Sequence, residues 1–236
     1  MRSLGHHGRA ATREMAADDR DVCIPPLSLP GTLRIPKGAQ RIILFAHGSG
    51  SSRLSPRNAL VAAALNKAGL ATLLFDLLTS EEELDRRNVF DIPLLADRLI
   101  DAISRIDADT ALSRLGLGLF GASTGAAAAL VAAARLGNRV DAVVSRGGRP
   151  DLAASSLALV QAPTLLIVGG DDRTVINLNE WALARLQAVK ELRVVPGATH
   201  LFSEPGALQA VAEHATRWFL RHLSPHDHQG SPNHRL

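Results

Sequence analysis

Four short segments of this 236-residue chain carry the side chains that acyl chemistry needs. Gly121-Ala122-Ser123-Thr124-Gly125 has the form G-x-S-x-G and lies between an apolar run, Leu115 to Phe120 (LGLGLF), and the alanine-rich AAAALVAAARL. A serine placed between a strand and a helix in this way sits on a tight, strained turn that exposes its hydroxyl, and the helix N-terminus behind it favours negative charge. The hydroxyl becomes a nucleophile only when a histidine takes its proton, and the histidine needs a carboxylate to fix its tautomer. Gly169-Gly170-Asp171-Asp172-Arg173-Thr174-Val175 offers the carboxylate and Gly197-Ala198-Thr199-His200 the histidine. The fourth segment, His47-Gly48-Ser49-Gly50-Ser51-Ser52, has two glycines that let backbone amides turn inward. The Ser49 and Thr124 amides are the expected oxyanion hole, and His47 is expected to brace its loop by hydrogen bonds. Taken alone, Asp172 is equally a helix N-cap and His200 a solitary loop histidine. The residues by themselves leave both Asp171 and Asp172 open as the acid.

These segments need a scaffold that brings four loops to one edge. Arg41 to Ala46, Ala71 to Phe75, Leu115 to Phe120, Val140 to Ser145, Thr164 to Val168 and Leu192 to Val195 are near-continuous apolar runs, as expected of strands buried on both faces of a parallel sheet. Helical spacing is read over Asn58 to Ala68, Ile92 to Ile106, Ala126 to Leu136, Asn179 to Val189 and Leu208 to Leu223. The alternation predicts right-handed crossovers and one doubly wound α/β sheet, whose ligand loops follow the carboxyl ends of the strands. Val22 to Ile24 and Leu27 to Ile35, broken by prolines, read as an antiparallel edge. The expected organisation is a flexible leader over 1–20, one domain over 21–223 and a disordered tail over 224–236. The tail's histidines are read as solvated rather than metal-binding. Ser80 to Asp85 (SEEELD) reads as a solvated loop flanking the site's mouth.

The chain order Ser123, Asp172, His200 and the motifs HGSGSS (47–52), GASTG (121–125), GGDDRTV (169–175) and GATHLF (197–202) resemble the α/β-hydrolase superfamily, and within it the small dienelactone hydrolase-like serine hydrolases. The resemblance covers about Val22 to Leu223. It implies an α/β-hydrolase fold with a mostly parallel sheet of about eight strands flanked by helices. The acid loop of such proteins commonly reads G-x-x-D-x-x-V, which maps onto Gly169, Asp172 and Val175 and selects Asp172. Dienelactone hydrolases proper use a cysteine nucleophile, whereas this chain has Ser123 and its only cysteine is Cys23. That departure favours a general ester, thioester or lactone hydrolase working through an acyl-enzyme. The link between the strands at 140–145 and 164–168 is too short for a cap domain, so an open site is expected. Some relatives of this kind are fused to phosphoribosyltransferase domains.

Composition bounds the alternatives. Hydrophobic residues make up 46% and charged residues 21%, which excludes a disordered or collagen-like chain. A lone cysteine excludes an internal disulfide and a cysteine-based zinc cluster, and fits a cytoplasmic setting. No cofactor or metal is implied: neither G-x-x-x-x-G-K-[ST] nor a G-x-G-x-x-G after the first strand is present. The basic residues, 23 Arg to 3 Lys, are spread without a stripe, against nucleic-acid binding. Leu115 to Ala134 is uncharged but glycine-rich and polar in the middle, so it splits into strand and helix rather than spanning a membrane. Arg53, Arg57, Arg146 and Arg149 fall near the expected strand ends and would suit an anionic substrate; Phe202 is the one aromatic well placed to line a pocket. The expected partner is a small ester, thioester or lactone; the oligomeric state, a homodimer included, is left open. Two rival functions use the same residues: a non-catalytic binding or partner protein, and an acyltransferase.

Overall fold

The computed structural model describes residues 18–224. Its centre is an eight-stranded sheet in the order β1-β2-β4-β3-β5-β6-β7-β8. The strands are β1 (Asp18–Ile24), β2 (Leu29–Ile35), β3 (Arg41–Ala46), β4 (Ala71–Phe75), β5 (Gly116–Ala122), β6 (Ala142–Arg146), β7 (Thr164–Gly169) and β8 (Lys190–Val195). β1 and β2 form the antiparallel edge, and β3 to β8 pair in parallel. Every residue of β5 and β7 is buried, which explains their uninterrupted apolar sequences. β8, at the other edge, keeps most of its residues at least partly exposed.

Helices cover both faces. α1 (Pro56–Lys67) and α7 (Ala207–His222) pack on one side, where Val61, Leu65, Trp218 and Phe219 meet Phe45 and Phe120 of the sheet. α4 (Ile92–Asp107), α5 (Thr124–Leu136) and α6 (Arg173–Leu183) cover the other, with Leu99, Ile103 and Leu130 against Leu44, Leu119 and Leu166. Side-chain caps mark where several of the helices start. Ser55 accepts the Asn58 amide ahead of Pro56 at the start of α1, and Asp91 accepts the Leu94 amide at the start of α4.

Several expectations shift. β1 begins at Asp18, so the last three residues assigned to a leader belong to the sheet edge; the rest of that leader, and the tail past Ser224, lie outside the described residues. Asp172 caps α6, so this helix begins at Arg173 and ends at Leu183, several residues earlier than the apolar spacing suggested. Ser80 to Asp85 is not a plain loop: a Thr79–Glu82 capping box folds α2 (Ser80–Leu84), followed by α3 (Arg86–Val89). The link from β6 to β7 is a short run of 3₁₀ turns, Pro150–Leu159, that packs under α5 and α6 and forms no cap. Leu115 to Ala134 divides into β5 and α5, and no helix among the described residues is long and apolar enough to cross a membrane.

Candidate active site

Ser123 joins β5 to α5 with φ 52° and ψ −119°, a conformation that L residues rarely adopt. The turn is held from both sides. The Ser123 amide donates to the Arg146 carbonyl at 3.2 Å, and its carbonyl accepts from the Ala126 and Arg149 amides at 3.1 Å each. The motif's glycines are required by space: a Cβ on Gly121 would stand 2.4 Å from the Ala126 Cα, and one on Gly125 2.2 Å from the Ala46 carbonyl oxygen. The alanines of α5 press the helix onto β5, and that close approach directs the first helical amides toward the serine.

Asp172 follows β7 and His200 follows β8. The Asp172 Oδ2 accepts from His200 Nδ1 at 2.7 Å, while its Oδ1 receives the Val175 amide at 3.4 Å. The same carboxylate is therefore both helix cap and histidine partner, and the two readings of Asp172 are compatible. Asp171 is exposed, and its amide donates to the Ala198 carbonyl at 3.0 Å. With Nδ1 engaged, the His200 Nε2 is the ring nitrogen left to serve a nucleophile. Glu204, absent from the sequence reading, braces this loop: it accepts from the Thr199 amide at 3.0 Å and hydroxyl at 2.6 Å, bonds that hold its own carboxyl below the ordinary range.

Ser123 and His200 line one cavity of about 200 Å³, together with Gly48, Ser49, Arg57 and Arg146. Leu201, also unanticipated, forms part of its wall. The four arginines singled out by sequence part company here. Arg53 turns to Asp76, its amide 2.7 Å and its Nε 3.4 Å from that carboxylate, and Arg149 forms a fork with Asp151 at 2.8 and 2.7 Å. Neither lines the Ser123 cavity; Arg57 and Arg146 do. Phe202 is buried and has φ 54°; it stands behind Arg146, whose guanidinium carbon lies 6.0 Å from its ring centre.

The loop expected to supply an oxyanion donor departs from expectation in one respect. The Ser49 amide donates to the Thr124 hydroxyl at 3.0 Å. Thr124 heads α5, so its hydroxyl is the acceptor that this amide meets first, and its own amide is among those without an intrahelical acceptor. His47 is buried; its Nε2 accepts from the Leu77 amide at 3.1 Å, and Nδ1 lies 3.1 Å from the Gly48 carbonyl, the geometry of a neutral ring donating there. Burial pushes its pKa down, in keeping with a bracing role. A second cavity of about 320 Å³ lies across the same loop, lined by Leu77, Leu78, Glu83, Val89 and Leu95 besides His47 and Thr124. No group of His, Cys, Asp and Glu among the described residues could hold a metal ion.

Comparison with known proteins places this arrangement. Residues 39–217 match the family described as alpha/beta hydrolase domain. A crystal structure of an Anabaena variabilis protein described as a dienelactone hydrolase has 55% identity and a TM-score of 0.85, covering 90% of this chain and 100% of that one. Est1E from Butyrivibrio proteoclasticus shares the fold at a TM-score of 0.73 and 14% identity, over 86% of this chain and 98% of that one. A Mycobacterium tuberculosis protein provisionally named a phosphoribosyl transferase is 55% identical over 214 residues, 91% of this chain and 48% of that protein. The chain thus spans about half the length of the curated relatives it matches.

Proposed function

The chain belongs to the alpha/beta hydrolase family, and from that premise we propose that it is a serine hydrolase acting on a small ester, thioester or lactone through an acyl-enzyme on Ser123. The observation that carries this reading is the meeting of Ser123, in its strained turn, with His200 in one cavity while His200 is held by Asp172 at 2.7 Å. His200 removes the proton as Ser123 Oγ bonds to the substrate carbonyl carbon, and the carbonyl electrons move onto its oxygen. The Thr124 amide stabilises that oxyanion, joined by the Ser49 amide once it exchanges the Thr124 hydroxyl for the charged oxygen. The intermediate collapses, the bond to the leaving group breaks, and His200 returns the proton to it. Water then repeats the sequence: it bonds to the acyl carbon, gives its proton to His200, and Ser123 leaves with that proton. Asp172 stays ionised throughout and balances the imidazolium. The provisional name of the longer mycobacterial relative assigns no chemistry to this half of it, because the relative is about twice as long as the match.

The test is intact-mass analysis after exposure to a fluorophosphonate, run beside folded Ser123→Ala protein. One adduct per chain, absent from the variant, is the expected result; a folded wild-type chain that takes none is a binding protein instead. With any ester that the wild type cleaves, Ser123→Ala should lower kcat/KM by at least about 10³-fold.

A further inference from the structure

The cavity beside Ser123 contains two guanidinium groups that no carboxylate among the described residues balances. Arg146, at the carboxyl end of β6 and one strand over from Ser123, is 8% exposed, yet its Nε and Nη1 are buried with no hydrogen-bond partner. The Nε of Arg57 in α1 is buried and unpartnered as well. Neither side chain forms an ion pair among the described residues, whereas Arg53 and Arg98, whose Nε atoms are likewise buried without a hydrogen bond, and Arg149 each reach a carboxylate. Asp172 is occupied by His200 and does not line the cavity. Glu83 lies in the neighbouring cavity. The pKa of Arg146 is lowered by burial first and then by the neighbouring charge of Arg57.

A folded chain does not keep a buried, unbonded charge facing a second like charge without return, because each raises the cost of the other. An incoming anion removes both costs at once. A carboxylate brings one negative charge and is filled by one bidentate fork. A phosphate monoester brings about −1.5 to −2 charges at neutral pH and three free oxygens, enough to meet forks arriving from two different elements. We infer that Arg57 and Arg146 form a phosphate-binding subsite adjoining Ser123, which takes a phosphate-monoester group carried by the substrate. The subsite uses the serine-hydrolase reading only to set that phosphate next to a reacting ester. The cavity, about 200 Å³, takes the head group and leaves the remainder of the substrate to extend past Leu201, which is 47% exposed at the rim.

Binding is measured on Ser123→Ala protein, so that no turnover is needed, by calorimetric titration with phenyl phosphate and with benzoate. Phenyl phosphate is expected to bind at least tenfold tighter than benzoate. Arg146→Leu and Arg57→Leu should each weaken phenyl phosphate at least tenfold, and Arg135→Leu, which removes a surface arginine paired to Asp97, should not. Arg146→Lys, which keeps the charge and loses the fork, should retain part of the affinity and serves where the leucine variant misfolds. Benzoate binding as tightly as phenyl phosphate overturns the phosphate assignment; affinity indifferent to both arginines overturns the subsite. Arginine-dependent phosphate binding by a wild type that takes no fluorophosphonate would retain the subsite and remove the hydrolase, so the two readings fail separately.

Discussion

Two cavities open on either side of the Gly48–Ser51 loop, and they differ in charge. The smaller holds Ser123 and His200 beside Arg57 and Arg146, which form no ion pair among the described residues; the larger has Leu77, Leu78, Val89 and Leu95 with Glu83 as its one acidic side chain. They share Gly48, Ser49 and Ser51, so one loop borders both a compartment with two arginines and a compartment with four aliphatic side chains and no arginine. Volume alone would point to the second. Chemistry points to the first, because only there do a strained serine, an oriented histidine and unneutralised cations converge. Under the proposed function and the phosphate subsite, the difference assigns the charged part of a substrate to the Ser123 cavity rather than to the larger one.

The assignment can be attacked from several directions. The largest effect is expected from Asp172→Asn, which keeps the shape but leaves His200 in the wrong tautomer: kcat should fall by about 10⁴-fold for anionic and neutral esters alike. A loss confined to anionic esters would contradict the shared chemistry of the site. Thr124→Val removes the hydroxyl that holds the Ser49 amide. Since that bond is worth about 0.5–1.5 kcal/mol, freeing the amide should raise kcat by about 2- to 10-fold; a decrease would mean that the hydroxyl orients the loop rather than competing with the oxyanion. Glu83→Gln, in the larger cavity, should shift preference between anionic and neutral esters by less than about threefold, as expected of an exposed charge screened by water. A bigger shift would place the anion on the wrong side of the loop.

Acidity separates the two compartments as well. Arg146 has its pKa lowered to about 10, by burial and then by Arg57, so arginine-dependent preference for anions should fade as pH rises through about 10. His47, on the other side, is held neutral by burial, against an ordinary value of 6.5. Because the unfolded chain takes up that proton more readily, the stability His47 contributes is complete above 6.5 and declines as pH falls below it. Urea unfolding at pH 5 and pH 8 should show a shallower acid loss for His47→Gln than for the wild type, with an overall cost of about 1–3 kcal/mol at the higher pH from the orphaned Leu77 amide.

Much of this is legible in the sequence. Gly121, Ser123 and Gly125 declare a tight strand-to-helix turn by type and spacing, and the run LGLGLF announces a strand buried on both faces. Asp172 and His200 were selected by loop position and motif, and the structure brings them together. α6 was set too late because apolar spacing outweighed the cap signal at Asp172, and α2 was missed because its acidic residues face water and only the Thr79–Glu82 box betrays it. Glu204 carries no signal of type or spacing, and Leu201 lies within the GATHLF motif without a feature that marks it as a cavity wall.

The sequence by itself determined the sheet, the order of the catalytic candidates and the turn that strains Ser123, because these depend on contacts within a few residues and on burial patterns that repeat along each strand. Tertiary structure alone decided which arginines are neutralised and which are not. Arg53 meets Asp76 from 23 positions away, while Arg57, four residues further along the chain, lines a cavity with Arg146 and meets no carboxylate among the described residues. Charge pairing is settled by distances in space, and a guanidinium looks the same in a sequence whether its partner is an aspartate or an empty cavity.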